Sequence, residues 1–339
     1  MKKVKIAIVG YGNIGNQFVK IIKEKGPEIL KNYGLDFQLT AVIGRKNMIY
    51  EERGVDVDKL LAIGKDLSKY EGNVLKITSS TDALETIEAD VLIEATPTNI
   101  ETGEPGYSHI KKAFSLGMDV VTLSKGALVC HYEDVVNTMN QYGRNMKMSG
   151  ATAAALPTID MGQYNLAGNE ILKMQGILNG TSNYILSRMH EEEISYEDAL
   201  TEAQEKGIAE KNPKLDVGGY DTASKLVILA NSLMGTNFSL KDVQIQGIEE
   251  VSLKDIKMAK AENCTIKLVG EVVRNDGQAG IWVAPMKLDH TNLLSRTQYK
   301  DKGIVFYTDL MGAIAVIGGA SDPRAAAAAA LKDIINLYK

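Results

Sequence analysis

A glycine-rich turn that follows a short β-branched strand is the feature that most constrains this chain. The run KIAIVGYGNIG spans residues 5–15, and an amphipathic helix pattern continues from it. In such a G-x-G-x-x-G turn the glycines allow a tight bend, a close approach to a pyrophosphate and close packing of the helix. The helix N-terminus then points its amides at the anion. The run therefore predicts a dinucleotide site formed by Gly10, Gly12, Asn13, Ile14 and Gly15.

The composition indicates a globular protein with room for two domains. The chain has 339 residues, of which 45% are hydrophobic and 24% are charged. Its net charge of -5 offers no basic surface for nucleic acid or membrane lipid, so we expect a small-molecule substrate. The N-terminal apolar run ends in glycines without a cleavage site, which favours a first strand over a signal peptide.

Cysteine and histidine usage argues against a disulfide framework and a metal centre. The chain has two cysteines, Cys130 and Cys264, and a reducing cytoplasm is the compartment that this usage predicts. The four histidines have no metal-ligand spacing, so the predicted metal set is empty.

Strand and helix patterns alternate up to about residue 150 and predict a Rossmann-type parallel sheet. A second, α+β domain follows, and an alanine-rich helix at Asp322–Leu337 is expected to return to the first domain. We therefore predict a dinucleotide-binding domain over residues 1–150 plus 310–339, and a catalytic and dimerisation domain over residues 151–309. The strands predicted for the two domains are Lys5–Val9, Leu39–Ile43, Val91–Glu94, Asp119–Thr122, Asn145–Met148, Met174–Leu178, Ile266–Val273, Ile281–Pro285 and Val305–Tyr307.

The end of the second strand indicates which dinucleotide binds. An Asp or Glu there would hold a ribose 2′-hydroxyl, whereas this chain has Arg45 and Lys46, which suit a 2′-phosphate. The sequence thus favours NADP, with NAD as the alternative. Thr96 and Pro97 follow a later strand and are expected near the nicotinamide.

Three residues are candidates for acid–base chemistry. Lys125, next to Ser124, follows a strand at the edge where such sheets bind ligands. Asp221 and Lys225 are spaced i,i+4 and share one helix face, which is also the pattern of an ordinary helix-capping ion pair. The loop before them, with Glu210, is long enough to bring a carboxylate to the site.

Five segments together resemble the homoserine dehydrogenase family, in its short archaeal-type form without a C-terminal regulatory domain. They are GYGNIG, EATPTNIETGEPG, TLSKGAL, GILNGTSNYILSRM and GIAEKNPKLDVGGYDTASKL. The resemblance implies reversible reduction of L-aspartate 4-semialdehyde to L-homoserine with NAD(P)H, in threonine and methionine biosynthesis. It also implies a homodimer and no threonine inhibition through an appended module.

The resemblance assigns roles to individual residues. It implies acid–base lysines at Lys125 and Lys225, with Glu210 holding the substrate ammonium and Asp221 orienting substrate and lysine. Further residues that it implies are Asn179, Gly180 and Thr181 for the substrate, and Ser124, Lys125 and Gly318 for the cofactor.

The chain departs from the family pattern in two places near the substrate. A family Glu becomes Ser149 and two glycines become Ala153 and Ala154, which leaves a requirement for a monovalent cation open. Arg324 lies where small residues are expected. It is interpreted either as a residue that binds a different anionic group or as an exposed residue on the helix surface. Two alternatives therefore stay open, namely a paralogue acting on another small amino- or hydroxy-aldehyde and a non-catalytic NADP-binding sensor.

Overall fold

The computed structural model describes residues 1–275 and 278–339 and divides the chain into two compact units. The first unit comprises Met1–Ala155 with Asp322–Lys339, and the second comprises Leu156–Ser321. The sequence places the second domain boundary at residue 310, and the structure places it at residue 322. The reason is a strand at Gly312–Gly318, which pairs with Lys302–Thr308 and so belongs to the second unit.

The first unit is built on a twisted sheet whose central strands are parallel. In the part of the chain that the structure describes, the strand order is β4-β3-β2-β1-β5-β6-β7, and only β3 runs opposite to the other strands. The strands are β1 (Lys2–Val9), β2 (Leu35–Ile43), β3 (Asn47–Tyr50), β4 (Val74–Lys76), β5 (Val91–Glu94), β6 (Asp119–Thr122) and β7 (Met146–Lys147).

Helices cover both faces of this sheet, as expected for parallel strands joined by crossovers. The longest, α1, begins at Asn13 and buries Phe18 and Ile22 against the sheet. It ends at Tyr33, where Gly34 adopts a φ of 69° and donates its N–H to the carbonyl of Leu30. The others are α2 (Val57–Ala62), α3 (Ser80–Ala83), α4 (Gly106–Ser115), α5 (Gly126–Cys130), α6 (Tyr132–Gln141) and α7 (Ser149–Thr152).

The C-terminal helix α14 (Pro323–Tyr338) returns to the first unit, as the sequence predicts. Asp322 caps it by accepting a hydrogen bond from the N–H of Ala325, and proline occupies the first turn. Ala327, Ala330 and Ile334 are buried in the same hydrophobic cluster as β1 and α1. The small alanine side chains therefore let α14 approach α1 closely.

The second unit contains a mostly antiparallel sheet. Among the described residues its order is β13-β12-β8-β10-β11-β9, with only β11 and β9 parallel. Helix α12 (Tyr220–Met234) packs closely on β10, because a Cβ at Gly270 would lie 3.1 Å from Leu226 and Thr222. The strands are β8 (Ile171–Ile177), β9 (Gln244–Ile245), β10 (Cys264–Asn275), β11 (Gln278–Asp289), β12 (Lys302–Thr308) and β13 (Gly312–Gly318).

The remaining helices of the second unit connect these strands. They are α8 (Thr158–Asp160), α9 (Gly180–Glu192), α10 (Tyr196–Glu205), α11 (Lys214–Val217) and α13 (Leu253–Ala261). The helix α9 is not predicted from the sequence, because polar residues interrupt its hydrophobic face. Across the described ranges, no helix has the length and apolar content needed to cross a membrane.

Candidate functional site

The carboxyl ends of the central parallel strands form the floor of a cavity of about 600 Å³ in the first unit. Neighbouring strand ends are joined there by backbone hydrogen bonds from Gly10 to Ile43 at 2.9 Å and from Ala95 to Val9 at 2.9 Å. The glycine turn lines one side of the cavity, and the segments at residues 96–99 and 104–105 line another. This is the edge at which open α/β sheets bind ligands.

The three glycines of the turn differ in the space that a side chain would have at each position. Gly10 has a φ of 93°, and a Cβ there would lie 2.5 Å from the backbone carbon of Ala95. A Cβ at Gly15 would lie 2.7 Å from the carbonyl oxygen of Gly10. At Gly12, by contrast, a Cβ would meet no protein atom within 4 Å, and this glycine lines the cavity. The space next to Gly12 is therefore open to a ligand, which fits a pyrophosphate held at this turn.

Two cationic side chains line the same cavity. Arg45 follows β2 as the sequence predicts, and Lys65 reaches the cavity from the loop after α2. Lys65 also donates a hydrogen bond to the side chain of Asn13. Lys46 is exposed beside Arg45, and its carbonyl oxygen accepts from Ile77. Lys65 lies 20 residues beyond Arg45 in a loop without a strand signal, so sequence spacing alone gave no indication of it.

Thr96, Pro97 and Lys125 follow the ends of β5 and β6. Thr96 and Pro97 line the cavity. Ser124 is buried, and its carbonyl accepts from the hydroxyl of Thr122. Lys125 is half-buried at the start of α5, and its backbone N–H donates to the hydroxyl of Thr98 at 3.2 Å. Because Thr98 also lines the cavity, this hydrogen bond holds the backbone of Lys125 next to the cavity wall.

A cluster of polar side chains lies at the start of α12 in the second unit. Lys225 Nζ is 2.6 Å from Asp221 Oδ2 and 2.8 Å from the carbonyl oxygen of Leu178. The side-chain amide of Asn179 donates to Asp221 Oδ2 at 2.8 Å and to Asp216 Oδ1 at 2.6 Å. The ends of β8, α11 and α12 therefore bring two carboxylates, one amide and one ammonium together.

The electrostatics of this cluster are set by two neighbouring acids. Burial raises the pKa of Asp216, and the negative charge of Asp221 raises it further, while the hydrogen bond from Asn179 opposes both effects. The Asp221–Lys225 pair is largely withdrawn from water, with side-chain exposures of 15% and 14%. Asp216 is not among the residues predicted from the sequence, because nothing local in the loop marks it as part of the site.

The other predicted substrate residues lie nearby or in the flanking loops. Asn179 caps α9 by accepting from the N–H of Ser182, and Gly180 and Thr181 begin that helix. Thr181 donates its hydroxyl proton to the carbonyl of Ile208 at 3.2 Å. Glu210 is exposed in the loop before α11.

Several predicted cofactor residues are not among those that line the first-unit cavity, namely Asn13, Ile14, Gly15, Lys46, Ser124, Lys125 and Gly318. Ile14 packs against the hydrophobic core of the first unit. Gly318 ends β13 in the second unit, where it adopts a φ of 120° and a Cβ would meet no protein atom within 4 Å.

The positions that depart from the family pattern make contacts within the first unit. Ser149 is buried, and its N–H and hydroxyl donate to Asp333 of α14 at 3.0 and 2.8 Å. Arg324 pairs its guanidinium with the carboxylate of Glu24 on α1. Ala154 adopts a φ of 53°, a left-handed conformation that favours glycine. In residues 1–275 and 278–339 no group of three or more His, Cys, Asp or Glu side chains could hold a metal ion.

Family models match both parts of the chain. The model described as homoserine dehydrogenase matches residues 157–335, and the model described as the homoserine dehydrogenase NAD binding domain matches residues 10–148. The first match alone covers more than half of the chain.

Individual relatives agree with these matches. A homoserine dehydrogenase of Methanocaldococcus jannaschii is 37% identical over 335 residues, with 98% of each chain covered. An NAD(+)-dependent homoserine dehydrogenase of Pseudomonas canavaninivorans is 31% identical, with 100% of this chain and 97% of the relative covered. A crystal structure of a putative homoserine dehydrogenase from Archaeoglobus fulgidus superposes with a TM-score of 0.88, 31% identity and 99% coverage of both chains.

Replacing Asp216 tests the electrostatics of the second-unit cluster. Because its folded-state pKa is raised, its stabilising contribution is present below the unfolded-state pKa and is lost as pH rises through the folded-state pKa. We expect Asp216→Asn to become more stable relative to the unmodified protein between about pH 4 and about pH 7. Urea unfolding at the two pH values measures this difference.

Asp242→Asn serves as a control of opposite sign. Hydrogen bonds from the backbone and hydroxyl of Ser239 lower the pKa of Asp242, so its stabilising contribution is lost as pH falls. This variant should become less stable relative to the unmodified protein as pH rises through the acid range to about pH 4, and the difference should then stay nearly constant up to about pH 7. A stability difference for Asp216→Asn that does not change with pH would contradict the interpretation of Asp216 as a buried, repelled carboxylate.

Proposed function

This chain belongs to the homoserine dehydrogenase family, and we propose which of its residues carry out that family's reaction. It is an NAD(P)-dependent oxidoreductase acting on a CH–OH group, with reversible hydride transfer between L-homoserine and L-aspartate 4-semialdehyde. We base the assignment of roles on one observation, the hydrogen-bonded group formed by Lys225, Asp221, Asn179 and Asp216. A paralogue with another substrate and a non-catalytic sensor are not favoured by the family matches.

Lys225 is assigned as the acid and base of the second unit. Reduction of the aldehyde leaves an alkoxide, which needs a proton from a positioned cationic donor. Asp221 and the carbonyl of Leu178 each accept one hydrogen bond from Lys225 Nζ, and an ammonium has three donors. The third N–H can donate to the substrate oxygen. In the oxidation direction the same nitrogen takes the hydroxyl proton.

The acids of the cluster are assigned to the substrate's ammonium. Asp221 is shared between Lys225 and Asn179, and Asp216 receives the second N–H of the same amide. A bound ammonium would relieve the repulsion between these two carboxylates. Glu210, in the exposed loop before α11, is proposed as the third anionic group, as the family resemblance implies. Gly180 and Thr181 at the start of α9 are proposed to complete the substrate site.

The first-unit cavity is assigned to the nicotinamide dinucleotide. The open space at Gly12, the cationic side chains of Arg45 and Lys65 and the volume of about 600 Å³ fit such a ligand. The bound dinucleotide supplies or accepts the hydride. Lys125, tied to the cavity wall through Thr98, is proposed as the second acid–base lysine.

NADP is proposed as the preferred cofactor. Arg45 and Lys65 both line the cavity, and the end of β2 has no acid to bind a ribose 2′-hydroxyl. Two cations that line the cavity favour a 2′-phosphate, since guanidinium and ammonium groups form strong charge-assisted hydrogen bonds with phosphate oxygens. The relative named as NAD(+)-dependent makes NAD the alternative.

A homodimer formed through the second unit is also proposed. β13 is one of the two edge strands of the sheet in the described part of that unit. It carries the exposed apolar side chain of Ile317, and Leu310 and Met311 precede it with exposures of 75% and 52%. An apolar edge strand of this kind supports pairing with another chain. A place in threonine and methionine biosynthesis, in a reducing cytoplasm, is proposed from the family reaction and the two free cysteines.

Removing the Lys225 amine tests the acid–base assignment. Lys225→Ala should lower kcat for semialdehyde reduction by a factor on the order of 10²–10⁴, because the alkoxide loses its proton donor. Dinucleotide affinity should stay unchanged, since the cavity is lined by the first unit. Reduced-nicotinamide absorbance gives kcat, and calorimetric titration gives Kd. Lys241→Ala, at an exposed lysine of the same unit, is the control, and full activity of Lys225→Ala would refute the assignment.

Removing the cavity cations tests the cofactor preference. Arg45→Ala and Lys65→Ala should each raise Kd for NADPH by about tenfold, as expected for one lost charged hydrogen bond. Kd for NADH should change less, because NADH lacks the 2′-phosphate. Arg53→Ala removes an exposed arginine outside the cavity lining and should change neither value. Equal losses for the two dinucleotides would place the cations at the pyrophosphate and leave NAD as the cofactor.

Sedimentation velocity tests the homodimer. The unmodified protein should sediment at twice the chain mass, and Ile317→Glu should shift it toward the monomer by placing a charge on the exposed edge strand. Leu75→Glu, at an exposed leucine of β4 in the first unit, should leave the dimer intact. A monomeric unmodified protein at all concentrations would rule out the dimer.

A further inference from the structure

A buried acid–histidine pair lies beneath the wall of the first-unit cavity. Glu94 ends β5 and His109 lies in the first turn of α4, and both side chains have 0% exposure. His109 Nδ1 is 3.7 Å from Glu94 Oε1, which is an electrostatic contact too long for a hydrogen bond. Within the described part of the chain, Nδ1 has no hydrogen-bond partner. Neither residue has a role in the acid–base chemistry assigned above.

Two hydroxyl groups connect this pair to the cavity. Ser80 Oγ is 2.7 Å from His109 Nε2, and Ser80 lines the cavity. Thr96 donates its backbone N–H to Glu94 Oε1 at 3.1 Å, donates its hydroxyl to the same oxygen, and lines the cavity as well. Ser80 is therefore hydrogen-bonded to one member of the buried pair and Thr96 to the other, the pair itself is joined by the electrostatic contact, and both Ser80 and Thr96 line the cavity.

The carboxylate determines where the protons of this group lie. Glu94 accepts two hydrogen bonds from Thr96, one from its backbone N–H and one from its hydroxyl, as suits a carboxylate, which has no donor. Negative charge beside Nδ1 favours the imidazole tautomer that carries its proton on Nδ1. In this tautomer Nε2 is an acceptor, so the hydroxyl of Ser80 donates to His109. The hydroxyl protons of Ser80 and Thr96 therefore both point away from the cavity.

We propose that Ser80 and Thr96 determine specificity in the dinucleotide site by presenting only hydrogen-bond acceptors, with Glu94 and His109 as the positioning residues. Their oxygens accept from a ribose hydroxyl or the carboxamide N–H of the bound dinucleotide. They do not donate to a phosphate oxygen, and the phosphates are held instead at Gly12 and by the cavity cations. This proposal rests on the assignment of the cavity to the dinucleotide.

A purely structural role is the competing explanation. A buried histidine that bonds a serine also joins α4 to α3, and its loss would then affect folding alone. The two roles differ in one observable property. A structural role changes affinity for all dinucleotides equally, whereas an acceptor role changes the discrimination between dinucleotides that have a donor group and those that lack it.

Binding of donor-deleted dinucleotides to apo protein provides the test. One probe replaces the carboxamide N–H₂ by a methyl ketone, and others replace single ribose hydroxyls by hydrogen. We expect at least one probe to bind the unmodified protein about tenfold more weakly than its parent dinucleotide, from the loss of one hydrogen bond. Ser80→Ala should abolish that difference for the probe that lacks the donor bound by Ser80, and Thr96→Val should do so for the probe that lacks the donor bound by Thr96. Ser115→Ala, at an exposed serine of α4, should leave it unchanged.

Variants at His109 distinguish its role as a hydrogen-bond acceptor for Ser80 from its role in filling space in the core. His109→Phe keeps a ring in the core but removes the acceptor for Ser80, so the discrimination that depends on Ser80 should disappear while Ser80 is still present. His109→Gln offers an amide oxygen near the position of Nε2 and should restore it. Thermal unfolding of the apo variants monitors folding, and Ser80→Ala supplies the same test where His109→Phe does not fold.

The outcomes distinguish this proposal from the function on which it rests. Probe-specific losses that vanish in the hydroxyl variants and return in His109→Gln would support it. Parent and probe affinities that fall together in every variant would overturn it while leaving the dinucleotide site intact. An unmodified protein that binds no nicotinamide dinucleotide would overturn both this proposal and the assignment of the cavity.

Discussion

The alignment of the parallel strand ends in the first unit is the constraint on which the rest of its site depends. Backbone hydrogen bonds from Gly10 to Ile43, from Ala95 to Val9 and from Leu123 to Glu94 join four neighbouring strands at one edge. The close contact between Gly10 and Ala95 leaves no space for a side chain, so the turn has to begin with glycine. Because this edge is fixed, the glycine turn, the cations after β2 and the threonines after β5 all line one cavity.

Much of this arrangement could be predicted from the sequence because its signals are local. Val91–Glu94 and Asp119–Thr122 are strands with the predicted bounds, since each is a short apolar run between turn formers. The i,i+4 spacing of Asp221 and Lys225 placed them together, and the structure gives 2.6 Å between their charged groups. The family resemblance, based on five motifs in order, is confirmed by the family matches.

The residues that sequence reasoning missed owe their positions to contacts between distant segments. Ser80 and His109 are 29 residues apart and meet because α3 packs against α4. Asp216 joins the substrate cluster through the amide of Asn179, 37 residues away. The strand β13 was overlooked because its small residues in GAIAVIG give a weak alternation, and its pairing with β12 determines it instead. Such positions carry no periodic signal, so only the fold reveals them.

The departure at Ser149 is explained by the C-terminal helix. Asp333 of α14 is fully buried, and burial raises the pKa of its carboxyl, so it needs donors on all sides. Ser149 supplies two of them, and Lys332 donates to the hydroxyl of Ser149. A glutamate at position 149 would bring a second carboxylate against Asp333 and replace a hydrogen bond with repulsion. The serine at position 149 and the buried acid at position 333 are therefore one matched pair, which joins α14 to α7 of the first unit.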